Sequence, residues 1–437
     1  MVTSTPATNR DVRIAILGCG HVGSALVGIL TQRSDALAVQ AGARLVIGGI
    51  AVSDLSRPRA DDVDTALLTD DAASLVTDPS IDVVVELMGG LEPAGALIRD
   101  ALAAGKPVIT ANKALLASPT GVELRHLADR QGVDLLYEAA VAGAIPLVRA
   151  LRESLTGERI QRVMGIVNGT TNFILTQMSE LGADYGAVLA EAQILGLAER
   201  DPTADVEGHD AAAKAAILAG VAFGYDVSMD EVMCEGISKI GAADVEFARR
   251  SGYVIKLLAV VERAEGDALS VRVHPALVPD DHPLAGVRDS FNAVFIEGEA
   301  AGELMLYGRG AGGLPTASAV VGDVIDATRN LLAHTSAPTP DRQPARLLDP
   351  SDLVTRYYLS VTVADQAGVL AEVAAVFGAH GVSIRSMEQV GDVGDARLLF
   401  LTHAAREGDV QATLADLAAL EPVLSVSGLL RMVGEAS

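Results

Sequence analysis

Short aliphatic runs recur through the first third of the chain, at Val12–Leu17, Leu45–Val52, Val83–Leu87, Val108–Thr110 and Val133–Leu136, separated by segments of helical length and composition. Strand-length apolar runs alternating with helical patterns predict an α/β domain with a parallel, doubly wound sheet over 11–150. The first run breaks into Gly18-Cys19-Gly20-His21-Val22-Gly23 and resumes as SALVGILTQR, which reads as strand, glycine loop, helix. After Leu151 the rhythm changes. Strand-like stretches at Ile160–Asn168 and Tyr253–Glu262, with longer helical patterns such as DAAAKAAILAGVAFG, predict an α+β domain over 151–304. The stretch YGRGAGGLPTASAVVGDVIDATRN reads as a loop feeding a helix that returns, over 305–330, to complete the first domain. Dense Pro, Ala and polar residues in AHTSAPTPDRQPARLLDP read as a linker over 331–354, beyond which a compact unit occupies 355–434. The polar residues 1–10, with Pro6, read as a disordered tail.

The length of 437 residues supports several cores, since single cores rarely grow past roughly 250 to 300 residues. Half the residues are hydrophobic, yet charges interrupt each apolar stretch before the roughly 18 residues that span a bilayer, so no membrane association is expected. With 3% aromatics and no Trp, the cores must be aliphatic. A net charge of −24 opposes a phosphate backbone, and the absence of basic runs argues against nucleic acid as a partner. An anionic cofactor stays compatible with that charge, because helix N-termini bind phosphate locally. Cys19 and Cys234 have neither metal-ligand spacing nor a disulfide framework, and the first residues lack a secretory h-region. A cytoplasmic protein is expected.

The glycine loop directly follows a strand pattern and opens a helix, the context in which G-x-G-x-x-G acquires physical meaning. Gly18 permits the tight turn, Gly20 lets the backbone approach a pyrophosphate, and Gly23 allows close helix packing; His21 and Val22 complete the cofactor loop. A glycine-rich turn in an unrelated α/β fold is the plain alternative. After the second strand, Asp54 suits a ribose hydroxyl, whereas Arg57 and Arg59 suit a 2′-phosphate. The arginines favour NADP, Asp54 leaves NAD open, and the same charges also read as an ordinary solvated loop. Lys113 lies just past a strand end, where open sheets bind ligands, though an exposed lysine there needs no function. Asp210 and Lys214 lie four apart at the start of an apolar helix and project from one face. They read as a common surface ion pair, or as a proton-transfer lysine desolvated by its Ala and Ile neighbours.

Taken together, ILGCGHVGSAL, VVELMGG, ITANKALLA, YEAAVAGAIPL, IVNGTTNFIL, ERDPTADVEGHDAAAKAAILA and GRGAGGLPTASAVV resemble homoserine dehydrogenase over about residues 10–330. The resemblance implies a Rossmann-type nucleotide domain, an α+β catalytic and dimerisation domain, and NAD(P)-dependent interconversion of L-homoserine and L-aspartate 4-semialdehyde. It makes Lys214 and Asp210 the catalytic pair and Glu199 and Asp205 the amino-acid-binding carboxylates. Lys113 falls near cofactor and substrate, and Gly310 at the nicotinamide end of the pocket. It also implies a monovalent cation such as Na+ at Glu138, Val141, Gly143 and Ile145, held mainly by backbone carbonyls, which take hard alkali ions without any Cys/His signature. Residues 355–434 resemble a ferredoxin-like ACT domain, of ββαβ type in the sequence pattern. Asp365, Gly368 and Val369 stand in its ligand loop, and Ser383 where many members carry Asn. L-Threonine is the effector this implies, in a homodimer or homotetramer; a pure dimerisation module is the alternative. Two rival functions, another amino-acid dehydrogenase and a catalytically idle amino-acid sensor, fit the string ERDPTADVEGHDAAAK and the intact lysines less well.

Overall fold

The computed structural model describes residues 10–337, 342–391 and 395–434, and the chain divides into two compact units. The expected tail at 1–10 lies outside the described residues except for Arg10. The first unit comprises Met1–Arg159, Ala216–Met229 and Leu306–Pro344. Its centre is a six-stranded sheet of β1 (Asp11–Leu17), β2 (Arg44–Ala51), β3 (Leu68–Thr69), β4 (Val83–Glu86), β5 (Val108–Thr110) and β6 (Leu135–Leu136). All are parallel, in the order β3-β2-β1-β4-β5-β6. The order reverses between β1 and β4, the switch point beside which such sheets bind ligands.

Two-residue periodicity explains why both faces of this sheet are covered. Ile14 and Ile16 of β1 join Leu26, Val27 and Leu30 of α1 (His21–Gln32) in one apolar cluster, while Ala15 and Leu17 join Leu97 and Ile98 of α2 (Ala94–Ala103) in the other. Burying each large aliphatic side chain contributes about 1.5–3 kcal/mol, which fixes which helix covers which face. The late helix Gly313–Ala333 contributes Ala317, Val320, Val324 and Ala327 to the α1 face, at spacings of three and four that make one stripe. The return of this segment to the first unit thus follows from its apolar stripe. β3, only two residues long, has no apolar run to announce it in the sequence.

The second unit comprises Ile160–Ala215, Asp230–Met305 and Ala345–Ser437. Its ten-stranded sheet contains β7 (Ile160–Ile166), β8 (Tyr253–Arg263), β9 (Leu269–Pro279), β10 (Phe291–Gly298), β11 (Gly302–Arg309), β12 (Tyr357–Ala364), β13 (Ile384–Val390), β14 (Asp395–Thr402) and β15 (Val423–Met432). The order is β11-β10-β7-β8-β9-β15-β12-β14-β13, with Met233–Cys234 pairing alongside β9. The C-terminal segment is therefore an antiparallel β15-β12-β14-β13 sheet with helices Val369–Ala379 and Glu407–Ala418, a ferredoxin-like arrangement, and its last strand continues the sheet of the preceding domain.

That continuity corrects the expected linker. The helix Gly313–Ala333 runs into the 331–354 stretch, Gln343–Pro344 pairs with Tyr225–Asp226, and Leu347 bridges Leu269. Strand β15 pairs in parallel with β9 through Ala276↔Arg431 and Leu277↔Met432. At that seam the buried Arg431 guanidinium donates to Glu407 and Glu235 at 2.7–2.8 Å. Tyr357 donates its hydroxyl to Glu407 at 3.0 Å. Composition suggested a tether because Pro-rich, polar chain can still form short edge pairings that leave no hydrophobic pattern. No helix among the described residues is long and apolar enough to cross a membrane.

Candidate functional site

The glycine loop of the first unit has the geometry its sequence requires. Gly18 sits at φ +98°, and a Cβ there would meet the Leu87 carbonyl at 2.8 Å. A Cβ on Gly23 would lie 2.2 Å from the Gly18 oxygen, so only glycine lets α1 start this close to β1. Gly20 differs, since nothing lies within 4 Å of its Cβ position. It is the N-cap of α1, has no side chain to satisfy the first-turn N–H groups, and is followed by His21, which is exposed, and Val22, half-buried. A helix N-terminus with unfilled donors beside open space fits a pyrophosphate. Past β2, Asp54 accepts from the Ser56 amide and hydroxyl at 2.8 and 2.6 Å, and the hydroxyl bond foremost holds its pKa below the usual value. Arg57 is exposed, whereas Arg59 donates to the Cys19 carbonyl at 2.8 Å and to the Asp54 carbonyl at 2.9 Å. The arginine tied to the glycine loop is thus Arg59.

The C-terminal edge of this sheet is held by a buried network. Glu86 is fully buried and accepts from the Met88 and Gly89 amides at 2.7 and 2.9 Å and from the Thr110 hydroxyl at 2.6 Å. Asn112 donates its backbone N–H to Thr110 Oγ1 and its side-chain amide to the Gly90 carbonyl, and caps the short helix Lys113–Leu116. Lys113 thereby starts a helix at the strand edge with its side chain exposed.

The expected cation loop follows β6. Ala142 and Gly143 both take left-handed conformations, at φ +58° and +59°. A Cβ on Gly143 would lie 2.3 Å from the Gly310 oxygen, which explains glycine at 143 and brings Gly310 beside the loop. The Glu138 carboxylate is taken up by the amides of Val148 and Arg149, both at 2.8 Å, so its role is to brace the loop ends. Burial raises its pKa, and raises that of Asp323, which accepts from the Glu138 amide, to about 8. Among the described residues, no hydrogen bond reaches the backbone carbonyls of the buried Val141 and Gly143, while the Ile145 carbonyl accepts from Leu147. Two buried, unsatisfied carbonyls fit an alkali cation.

The second unit brings Asp205, Asp210 and Lys214 together around a residue that the sequence reading did not single out. Asn168 follows β7 and caps helix Gly169–Leu181, its Oδ1 accepting from the Thr171 amide at 2.9 Å. Its Nδ2 donates to Asp205 at 2.7 Å and to Asp210 at 2.9 Å. Lys214 Nζ donates to Asp210 at 2.7 Å and to the Val167 carbonyl at 2.6 Å. Asp210 and Lys214 are each 8% exposed, so this is no solvated surface pair. The helix His209–Phe223 creates the setting, because Ala211, Ala213, Ala215 and Ile217, its residues on either side of the lysine in sequence, are all buried. A dry ion pair beside an amide donor holds an ammonium in one place and can hand over a proton. Among the described residues the second Asp205 oxygen takes no hydrogen bond. Glu199 is exposed, in the loop before Thr203–Val206. The signal for Asn168 was the Asn-Gly-Thr-Thr cap itself.

In the C-terminal domain, Gly368 at φ +98° is the N-cap of helix Val369–Ala379 and carries no capping side chain. Val369 is buried, and Asp365 accepts from Gln389 of β13 at 3.3 Å.

Comparison with known proteins agrees with this architecture. Family models match at residues 18–138 (homoserine dehydrogenase, NAD binding domain), 146–325 (homoserine dehydrogenase) and 357–422 (ACT domain). A homoserine dehydrogenase of Corynebacterium glutamicum is 51% identical over 426 residues, covering 96% of this chain and 95% of its own. The crystal structure of a homoserine dehydrogenase from Thiobacillus denitrificans superposes with a TM-score of 0.92 at 40% identity, over 98% of this chain and 99% of that one. A hyperthermophilic archaeal homoserine dehydrogenase in complex with NADPH matches with a TM-score of 0.61 at 31% identity, over 73% of this chain and 98% of that one. The chain belongs to the homoserine dehydrogenase family of oxidoreductases.

Proposed function

We propose that the chain catalyses the reversible, nicotinamide-dependent interconversion of L-homoserine and L-aspartate 4-semialdehyde, as a step of threonine and methionine biosynthesis. The observation that carries this reading is the buried Asn168–Asp210–Lys214 cluster, which no nucleotide-binding role requires. When bound at the glycine loop of Gly18–Gly23, a nicotinamide cofactor would supply or take up the hydride at C4 of the substrate. When the semialdehyde is reduced, the Lys214 ammonium gives a proton to the carbonyl oxygen as it becomes a hydroxyl; in oxidation the same nitrogen receives it, directly or through water. Asp210 and the Val167 carbonyl fix that nitrogen in position. Asp205, held by Asn168 through one oxygen, offers the other to the substrate ammonium, and Glu199 adds a second carboxylate. Lys113 serves the cofactor and substrate from the sheet edge.

Gly18, Gly20, His21, Val22 and Gly23 hold the pyrophosphate. NADP is the favoured cofactor, supported by Arg59 and Arg57 beyond β2 and by the engagement of Asp54 with Ser56. A monovalent cation such as Na+ would be held by the carbonyls of Val141 and Gly143, with Glu138 and Ile145 shaping the loop and Gly310 behind it. Among the described residues no cluster of three His, Cys, Asp or Glu offers a metal site, and a carbonyl site needs none. L-Threonine binds the loop of Asp365, Gly368 and Val369 and lowers activity. Self-association as a dimer or tetramer is supported by the exposed Leu304 and Met305 of edge strand β11, and a cytoplasmic location by two unpaired cysteines. The test is substrate profiling with homoserine, aspartate and other amino acids against both oxidised cofactors. Turnover confined to homoserine supports the proposal; equal turnover of another amino acid refutes it.

A further inference from the structure

Beneath the β6 edge of the first unit lies a cavity of about 40 Å³ lined by Arg125, Arg152, Arg342, Tyr137, Asp134, the exposed Asp129 and apolar side chains. The Arg125 and Arg342 side chains are 10% and 7% exposed, and both face Asp226, at 2.9 and 3.7 Å. Arg342 also donates to the Tyr137 hydroxyl at 2.7 Å, and Arg125 to the Leu116 carbonyl at 2.9 Å. Arg152 pairs with Glu153 at 2.9 Å. Room for this cluster is built into the helix His209–Phe223, because a Cβ on Gly220 would lie 2.5 Å from Arg342 Nη1. A glycine inside a helix costs about 1 kcal/mol relative to alanine, so its presence marks space reserved for the guanidinium.

The donors do not balance. Among the described residues, the Nε atoms of Arg125, Arg152 and Arg342 are buried without a hydrogen-bond partner. Burial lowers the pKa of Arg125, and the neighbouring Arg342 lowers it further, the mark of cations crowded together. Burial would raise that of the Tyr137 phenol, yet Arg342, Arg125 and Arg152 bring it below its ordinary value. Arg125 and Arg342 thus share one carboxylate, Asp226, while Arg152 is paired with Glu153. Asp134, also on the cavity wall, is committed to the Asn330 side chain and the Ala337 amide. A water molecule is a poor solution, since it accepts about two hydrogen bonds and brings two donors of its own to a site already rich in donors. An anion accepts from every side and offsets the charge. The volume accommodates one ion or roughly two to three waters, and excludes a phosphorylated metabolite.

We infer that this cavity is a binding site for a single small inorganic anion of halide size, which ties together Arg125, Arg152 and Arg342. Bound there, it holds the Arg342 segment, and with it the Gln343–Pro344 pairing, against the Rossmann-type unit.

Crystals of the full chain soaked in bromide test the site, because bromide scatters anomalously where chloride would sit. The expected result is an anomalous peak within hydrogen-bond distance of the three Nε atoms. In solution, sodium chloride should raise the thermal midpoint by about 2 to 4 °C over sodium gluconate at equal ionic strength, since gluconate is too large to enter. Arg342→Gln should abolish that difference, and Arg152→Gln serves if the first variant does not fold. An ordered water or nothing in the cavity overturns the proposal. So does a bromide peak without chloride-specific stabilisation, which means an adventitious ion only, or a chloride effect that survives in both variants.

Discussion

Asn168 concentrates the catalytic argument into one side chain, because its oxygen caps a helix while its nitrogen bridges two carboxylates. Asn168→Asp separates those roles, since aspartate caps equally well but replaces a donor by a third negative charge beside Asp205 and Asp210. The cap is kept, so the loss of stability should be limited to about 1–3 kcal/mol from the lost donor, while kcat/KM falls by about 100-fold or more. A variant that keeps wild-type kcat/KM removes Asn168 from the site. His274 offers a prediction of a different kind. It is fully buried on β9, accepts at Nε2 from Arg272 and bonds the Pro275 carbonyl through Nδ1, and burial foremost holds its pKa well below 6.5. Arg431 and Arg272 depress it further. A base whose folded pKa is lowered takes up a proton more readily when unfolded, so its contribution to stability is complete above pH 6.5 and lost as pH falls below it. His274→Gln should flatten the thermal midpoint against pH between about 5 and 6.5, by up to about 1.4 kcal/mol per pH unit. An unchanged slope would assign the acid sensitivity elsewhere. The sequence displayed Asp210 and Lys214 because four-residue spacing is visible in a string; the partners of Asn168 lie 37 and 42 positions away, where no local pattern reaches.

At the scale of elements, the strand, loop and helix around Gly18–Gly23 were legible because each part carries its own signal: an aliphatic run, glycines at fixed spacing, an amphipathic helix. The two small glycine substitutions should nonetheless behave differently. Gly20→Ala meets open space and should leave the fold intact while weakening cofactor binding by about tenfold or more, because the new methyl occupies the approach to the pyrophosphate. Gly23→Ala drives a Cβ into the Gly18 oxygen and should lower stability itself. Fluorescence titration with reduced cofactor alongside thermal melts distinguishes them; equal melts and equal affinities for both variants contradict the assigned roles. Other elements were illegible for stated reasons. β3 has two residues, and β10 and β11 form by pairing at the sheet edge. The Arg59 contact with Cys19 joins loops 40 positions apart, so sequence order favoured Arg57 and Arg59 alike.

For the whole molecule, the continuous sheet changes what removal of the regulatory domain should do. A plain linker over 331–354, with the catalytic motifs all upstream, would let truncation near Leu331 leave a stable enzyme without a threonine response. The structure predicts instead that truncation exposes β9 where β15 pairs and leaves Glu235 without Arg431, so the shortened chain should be destabilised. The cleaner test of regulation is Asp365→Ala or Gly368→Val in the full chain, which should preserve basal turnover and weaken inhibition by millimolar threonine by about 5-fold or more. Unaltered inhibition in both variants would place the effector elsewhere.

If Lys214 moves the substrate proton in a homoserine dehydrogenase reaction, its removal must cost turnover and spare the cofactor. The most direct measurement follows loss of reduced nicotinamide absorbance on addition of aspartate 4-semialdehyde, for the native chain and for Lys214→Ala, with cofactor affinity measured in parallel. Rapid turnover is expected of the native chain, with a loss in kcat of about 100- to 10,000-fold in the variant and cofactor affinity unchanged within about twofold. Undiminished turnover in Lys214→Ala, or a loss matched by an equal loss of cofactor binding, contradicts that role for Lys214.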